Sequence, residues 1–373
     1  MKIAVVSTIL GYPWGGADAV WTAAAEAAAR RGDQLLLAIS SLALPHPRVA
    51  ALLAGGATLH LRPRKDVLPG RVARLRHAIG RRVPHETALV RDLRAFAPDL
   101  VVFSCGGTYD VAYEPEVLEW LRASAVPCRI IANWQRDLPA LGGEDRDLVR
   151  PPLELAEQVF FLSHRNLAAT RRHLLAPLPA ASVVQIPLRG ELLGELPWPA
   201  ESGTLTLAAV GRLEPVKGLD LLLHALHHAL GTAPGWRLMI YGRGPELGPL
   251  QRTAAQLGLG AHVAFPGHVA DLRAIWVGAH LFVSPAIDEG VPMTIPEAML
   301  LGRPVLATCV GGAEDWIKDD ENGFLCPAPT LDLLAHSLHH AWARRADWRD
   351  FGTRAHAAAT ARYQPDDYLR VIA

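Results

Sequence analysis

Arg212 and Lys217 stand in the segment Gly211-Arg212-Leu213-Glu214-Pro215-Val216-Lys217-Gly218, directly after the apolar run Leu205–Val210 and before a helical pattern that begins near Leu219. Two cations at the end of a strand, beside the free N–H groups of a helix N-terminus, suit a diphosphate. A solvated loop carrying two surface cations is the alternative this segment alone leaves open. A second cluster is acidic. The run Leu281–Ser284 ends at Pro285, and Asp288-Glu289-Gly290-Val291-Pro292-Met293-Thr294-Ile295-Pro296-Glu297 comes after it. Pro292 and Pro296 fit the approach to a helix and its first turn, where a missing N–H costs little. Glu289 then lies on the loop before that helix and Glu297 within its first turns. A carboxylate accepts two hydroxyl hydrogen bonds at once, which suits the vicinal diols of a sugar or ribose. The competing reading has Glu297 complementing the helix dipole and Glu289 solvated. The apolar neighbours and Gly290 weigh against it. A weaker feature is Tyr241-Gly242-Arg243-Gly244, where Gly242 allows either close approach of a ligand or a plain strand-to-helix turn.

The elements that position these residues repeat twice. Apolar strand candidates in the first half are Ile3–Val6, Leu35–Ile39, Ala57–Leu61, Leu100–Phe103, Arg129–Ala132 and Val159–Leu162, with helical patterns such as Val20–Arg31 and Glu86–Phe96 between them. Continuous Val/Ile/Leu runs flanked by helices signal a parallel sheet covered on both faces. The Pro- and Gly-rich stretch 187–203 interrupts the alternation. It restarts at Leu205–Val210 and continues through Leu238–Tyr241, Val263–Phe265, Leu281–Ser284, Val305–Thr308 and Phe324–Cys326. The expected organisation is an N-terminal Rossmann-like domain over residues 1–187, a linker over 188–203 and a second Rossmann-like domain over 204–355. A C-terminal helix over 356–373 is expected to pack back on the first domain. Two doubly wound parallel-sheet domains in tandem face a central cleft, and ligands of such sheets bind at the carboxyl ends of the strands.

In order along the second half stand Gly211-Arg212 and Lys217-Gly218, then Glu289 and Glu297. Gly302, Pro304-Val305, Ala307-Thr308 and Gly311-Gly312 come next, and Asn322-Gly323 closes the series. This ordered set resembles glycosyltransferase family four, the retaining group with the GT-B fold and of the group 1 type. The resemblance covers the whole second half and is patchier in the first, where Gly15-Gly16-Ala17-Asp18 followed by Ala27–Gly32 looks like the family's Gly-Gly loop and first helix. It implies an α/β protein of GT-B fold that moves a hexose-type sugar from a UDP- or GDP-linked donor to a glycan, a lipid-linked or a small-molecule acceptor. By resemblance, Arg212 and Lys217 hold the donor diphosphate and Glu297 the ribose hydroxyls. Glu289, Gly290, Val291 and Pro292 face the donor sugar. Gly15 and Gly16 let the N-terminal loop approach the phosphate and sugar, and the turn at Gly267-His268-Val269 holds the base. Arg212, Lys217 and Glu289 are the catalytic candidates. Asn133, Asp110 and Ser104 are the acceptor-side candidates.

The chain departs from the family at the end of the strand read as Arg129–Ala132. The family often has His there, and this chain has Asn133, which cannot act as a base near neutral pH. Retaining members are thought to use the leaving phosphate itself to accept the acceptor's proton. Cleaving the sugar–phosphate bond leaves extra negative charge on the nucleoside diphosphate, and something positive must stabilise it. Arg212, Lys217 and a helix N-terminus can do so with no metal and no other cofactor. The literal Asp145-Arg146-Asp147 lies in a polar stretch between Gly142-Gly143 and Pro151-Pro152 and reads as a solvated loop rather than a metal site. His224, His227, His228, His339 and His340 have zinc-compatible spacings, but a solvated polar helix face is the better account of them.

Charge and composition exclude several classes. Acids and bases balance at net charge zero, so no global field favours nucleic acid. The four cysteines, Cys105, Cys128, Cys309 and Cys326, are scattered without a Cys-x-x-Cys pair, which fits a reducing, cytoplasmic setting. No long uncharged apolar stretch is present to span a bilayer. One local bias stands out. Arg62, Arg64, Lys65, Arg71, Arg74, Arg76, Arg81 and Arg82 crowd residues 62–82, which hold one acid, Asp66, while Val72, Leu75, Ile79 and Val83 form an apolar stripe. A basic amphipathic helix can lie peripherally on an anionic inner membrane face through Arg71, Arg74, Arg76 and Arg81. It can also meet a phosphorylated or lipid-linked acceptor, or simply present a solvated face. Two other classes share the scaffold. A nucleotide-sugar epimerase needs acid/base groups at the first domain's strand ends, and no clear set is found there. A non-catalytic binding protein is expected to lose Arg212, Lys217 or Glu297, and all three are present.

Overall fold

The structure, a computed structural model, describes residues 1–11, 14–63, 86–134, 141–188, 194–200 and 203–373. The chain divides into two compact units, residues 1–187 with 364–373, and residues 188–363.

In the first unit, β1 (Lys2–Ser7), β2 (Gln34–Ser40), β3 (Thr58–Arg62), β4 (Leu100–Gly107), β5 (Cys128–Trp134), β6 (Gln158–Phe161) and β7 (Ala181–Val183) form one sheet in the order β3-β2-β1-β4-β5-β6-β7. Neighbours are parallel throughout. Ile3 to Val6 are all buried, as a strand covered on both faces requires. The order reverses between β1 and β4, where Ser7 pairs with Ser104 in register. Connections leaving β1 and β4 at such a switch point diverge and open a crevice at the strand ends.

The second unit repeats the scheme with β8 (Leu205–Val210), β9 (Trp236–Tyr241), β10 (Val263–Gly267), β11 (Leu281–Ser284), β12 (Val305–Thr308) and β13 (Phe324–Cys326), in the order β10-β9-β8-β11-β12-β13. Both faces of this sheet are apolar. Leu207, Leu238, Val283, Leu306 and Phe324 pack with residues of helices Leu219–Ala229 and Leu331–Ala343. Ala208, Phe282, Val305 and Ala307 pack with Ile295, Ala298, Ala355 and Ala359 of helices Thr294–Leu300 and Trp348–Arg362. Burying each large aliphatic or aromatic side chain contributes about 1.5–3 kcal/mol. The switch point here lies between β8 and β11. Both acidic and basic motifs of the second half therefore leave the sheet on either side of one crevice.

The unit boundaries differ from the expected ones. Helix Trp348–Arg362 belongs to the second unit, where it packs on helix Thr294–Leu300. Only residues 364–373 join the first unit. There the Asp367 carboxylate accepts from the Gln185 N–H at 2.8 Å, and Arg370 donates to the Val183 carbonyl at 2.9 Å. The stretch read as a linker also sorts with the second unit. Arg303, fully buried, donates to the carbonyls of Trp276 at 2.7 Å, Pro197 at 2.7 Å and Leu196 at 3.4 Å. One buried guanidinium thus ties residues 196–197 to the loop after helix Thr294–Leu300. Strand β7 is not among the expected strands, because three residues of Ala-Ser-Val carry no periodic signal.

Residues 64–85 lie outside the described residues, and with them Arg71, Arg74, Arg76 and Arg81. Arg62 is described, and it is not part of a solvated basic face. It is 5% exposed, donates to the Ser7 carbonyl at 2.6 Å and pairs with Glu114 at 2.5 Å. The segment Asp145–Asp147 is helical rather than a loop, within Gly143–Leu155, and both aspartates are exposed. The four cysteines are free. Among the described residues no helix is long and apolar enough to cross a membrane.

Arg303→Ala strands several buried carbonyls at once. It is expected to lower the unfolding free energy by about 3 kcal/mol in urea titrations. A loss of less than about 0.5 kcal/mol, the range of ordinary surface substitutions, would show that the guanidinium is not an anchor.

Candidate functional site

The second unit gathers its charged motif residues at the switch point. After β8 the chain passes Gly211 and Arg212, makes a 3-10 turn at Pro215–Lys217 and enters helix Leu219–Ala229 through Gly218. Gly218 has φ +63°, and a Cβ there would collide with the carbonyl oxygen of Pro285, at the end of β11. No other residue type allows both the left-handed backbone and this approach. The Ile287 N–H donates to the Val216 carbonyl at 2.9 Å, and Thr308 Oγ1 donates to the Ala286 carbonyl at 2.6 Å. The loop after β11 is thereby held on two sides, and Glu289 is delivered to Lys217.

The Lys217 ammonium and the Glu289 carboxylate form an ion pair, with side chains 23% and 17% exposed. Arg212 is 60% exposed, and its Nη1 pairs with Glu214 Oε1 at 2.6 Å. Gly211, Arg212, Lys217, Ser284, Glu289 and Thr294 line one small pocket that is partly open to solvent. Burial, and next the Arg212 guanidinium, pull the Lys217 ammonium down to about 8, against the opposing field of Glu214. At that value the ammonium is still mostly protonated at neutral pH, as its pairing with Glu289 requires.

None of the second unit's remaining donor-side candidates is among the residues lining this pocket. Glu297 sits on helix Thr294–Leu300, 9% exposed. Gly290, Val291 and Pro292 continue the loop from Glu289 into that helix, and Pro292 accepts from the Ile295 N–H at 3.0 Å. Gly242 is a spacer: a Cβ there would collide with the Gly211 carbonyl oxygen, so its small size sets the approach of two strand ends. Its N–H donates to the Gly267 carbonyl at 2.9 Å. That bond places the exposed His268 and the half-buried Val269 beside the Gly242 turn.

In the first unit, Gly15 caps helix Gly16–Arg30, and the buried Asp18 carboxylate accepts from the Gly15 N–H and from Trp21 Nε1, both at 2.8 Å. Burial outweighs these bonds and raises the Asp18 carboxyl to about 6. Asn133 lies against the same turn, since a Cβ on Gly16 would come within 3.1 Å of Asn133 Oδ1. Asp110 organises the strand ends: Oδ2 accepts from the Gly107 N–H at 2.8 Å and from Thr8 Oγ1 at 3.2 Å. Ser104 is fully buried, with its Oγ unpartnered, which corrects the expectation that it faces an acceptor. It lies within β4, where a side chain of that parity points into the sheet's covering layer rather than off its end.

Sequence reasoning assigns no role to Glu214 or Asp18. Glu214 sits two positions from Arg212, a spacing that could mark it as a counter-ion. Asp18, third in the helix after Gly15, carries the spacing of a capping box.

Residues 197–357 match the family Glycosyl transferases group 1. Over 157 residues the chain is 32% identical to an exopolysaccharide phosphotransferase of Streptomyces coelicolor, a match covering 42% of this chain and 17% of that protein. Over 142 residues it is 32% identical to a GDP-mannose-dependent alpha-(1-6)-phosphatidylinositol monomannoside mannosyltransferase of Mycobacterium tuberculosis, covering 36% and 37% respectively. The chain thus spans well under two thirds of the length of these curated relatives. Among solved structures, the Anabaena HepE protein in complex with UDP aligns with a TM-score of 0.72 at 19% identity, over 100% of this chain and 98% of that one. The lipopolysaccharide outer core galactosyltransferase WaaB, in its apo form, aligns with a TM-score of 0.71 at 18% identity, over 100% and 98%. At these identities the likeness establishes architecture, and the architecture is the GT-B fold.

With the Lys217 ammonium drawn down to about 8, binding of UDP or GDP to the pocket is expected to weaken as pH rises above that value, by at most about tenfold per pH unit. Lys217→Arg, charged throughout, should flatten the profile. A wild-type Kd that is constant between about pH 7 and 9.5 would contradict a role for this ammonium.

Proposed function

We propose, on the premise that the second unit is a glycosyl transferase group 1 domain, that the chain is a retaining, metal-independent glycosyltransferase using a UDP- or GDP-linked hexose. The observation that carries this reading is the joint presence of Arg212, Lys217 and Glu289 on one pocket at the second sheet's switch point. In this reading Lys217 and Arg212 take the donor diphosphate. As the sugar–phosphate bond breaks, charge accumulates on the leaving oxygen, and two cations already fixed nearby stabilise it without reorganisation. Glu297 binds the ribose hydroxyls and Glu289 the hydroxyls of the transferred sugar. The base rests near His268 and Val269. Retention results from attack on the face that the diphosphate leaves, with a phosphate oxygen accepting the acceptor's proton. Asn133, which has no basic lone pair near neutral pH, serves as a hydrogen-bonding group.

Support for the donor class comes from two sides. The mycobacterial relative is named for GDP-mannose, and the Anabaena structure is described with UDP. The acceptor is proposed to be a glycan or a lipid-linked saccharide. The cluster of Arg71, Arg74, Arg76 and Arg81 supports peripheral contact with an anionic surface, since each basic residue near such a surface contributes about 1 kcal/mol. The chain is proposed to work in the cytoplasm.

The discriminating experiment is release of nucleoside diphosphate from a panel of nucleotide sugars. Arg212→Ala and Lys217→Ala are each expected to lower kcat/KM by about 100- to 1,000-fold with little change in Tm, the loss typical of one fixed electrostatic group. Turnover close to wild type in either variant would sink the assignment. Activity is also expected to survive exhaustive EDTA, because the stabilising cations belong to the chain. Loss on chelation, restored by manganese or magnesium, would overturn the metal-independent part of the reading.

A further inference from the structure

The pocket is electrically balanced before any ligand enters it. Arg212 is held by Glu214 and Lys217 by Glu289, and Glu214 also acts on the Lys217 ammonium. Neither acid is freely solvated, with side chains 30% and 17% exposed. Carboxylate and phosphate oxygens compete for the same charged N–H donors. A diphosphate entering this pocket must therefore take its two cations from two carboxylates.

We infer that Glu214 and Glu289 are internal counter-anions that occupy Arg212 and Lys217 in the empty pocket and exchange with the donor's diphosphate, the exchange releasing Glu289 toward the donor's sugar. The inference rests on the reading of this pocket as a nucleotide-sugar site.

Once displaced, the two acids have different fates. Glu289 sits on the loop that leads through Gly290 to helix Thr294–Leu300, so it stays within the pocket. Beside a bare diphosphate it is a like charge at short range, which opposes binding. Beside a nucleotide sugar it meets hydroxyl donors and becomes an acceptor of charge-assisted hydrogen bonds. The same carboxylate therefore favours the sugar-bearing substrate over the diphosphate product. Glu214 lies two residues from Arg212, whose side chain is 60% exposed, and is itself 30% exposed, so its displaced carboxylate turns to solvent. It lowers affinity for every diphosphate ligand without distinguishing among them. A purely orienting role for either acid predicts the opposite sign, because removing an orienting partner weakens binding of the anion.

The test is calorimetric titration of the full chain with inorganic pyrophosphate, UDP, GDP, UDP-glucose and GDP-mannose, for wild type, Glu214→Gln and Glu289→Gln, with Tm recorded for each protein. Glu214→Gln is expected to tighten every diphosphate ligand by about threefold, the scale of a part-exposed ion pair. Glu289→Gln is expected to tighten pyrophosphate and the preferred nucleoside diphosphate by about five- to tenfold and to abolish the extra affinity conferred by the sugar. Unchanged or weaker diphosphate binding in the variants overturns the exchange while leaving the nucleotide-sugar reading standing. Absence of binding by any nucleotide at millimolar concentration removes that reading and the exchange with it. Should Glu289→Gln fail to fold, Glu214→Gln decides the question alone, since its partner Arg212 is 60% exposed and the fold does not rest on the pair.

Discussion

The ion pair between Lys217 and Glu289 is the contact around which the second unit's pocket is built, and it exists because two loops from different strands are pressed together. Gly218 lies against the Pro285 carbonyl, and the Ile287 N–H bonds the Val216 carbonyl, so the loop after β8 and the loop after β11 behave as one body. A side chain at position 218 would separate them and carry Lys217 away from Glu289. Thr308 supports the same junction from β12 through its bond to the Ala286 carbonyl. Nothing in this arrangement depends on long side chains reaching across solvent. It depends on backbone packing, which is stiff.

That junction can form only because of the sheet beneath it. In the order β10-β9-β8-β11-β12-β13, strands β8 and β11 are neighbours although far apart in sequence. Their connections leave toward opposite faces, which opens space at their carboxyl ends. The first unit solves the same problem at β1 and β4 with different groups. There Asp18 and Asp110 bind backbone N–H groups of the glycine-containing loops, and Arg62 with Glu114 braces the end of β1. The first unit thus carries loop-organising carboxylates where the second carries a cation pair. This asymmetry supports assigning the diphosphate to the second unit.

The fold was largely legible because its central strands are covered on both faces. Val-, Ile- and Leu-rich runs such as Leu205–Val210, Leu281–Ser284 and Val305–Thr308 have the same bounds in the sequence pattern and in the structure. The edge strand β7 escaped, since a short Ala-Ser-Val segment is neither apolar nor periodic. The chain's crossing back to the first unit at residue 364 also escaped, because it is set by Asp367 and Arg370 meeting partners nearly two hundred residues away. Within the site, Arg212, Lys217 and Glu289 were readable from their place after strands. The acidic partner of Arg212 was not, because whether Glu214 faces solvent or Arg212 depends on a turn geometry that residue types do not specify. Ser104 shows the limit in the other direction. It stands next to a glycine pair that looks like a loop, but β4 continues through Gly107 and buries it.

Reception of a nucleotide-sugar diphosphate on Lys217 and Arg212 is the role proposed for the second unit's switch-point pocket. It is tested most directly by an experimental structure of the chain with a bound UDP- or GDP-sugar. The expected result is diphosphate oxygens within hydrogen-bonding distance of Lys217 Nζ, Glu289 parted from Lys217 and turned toward sugar hydroxyls, and the ribose at Glu297. A nucleotide seated elsewhere, or a diphosphate that leaves the Lys217–Glu289 pair intact, would contradict it.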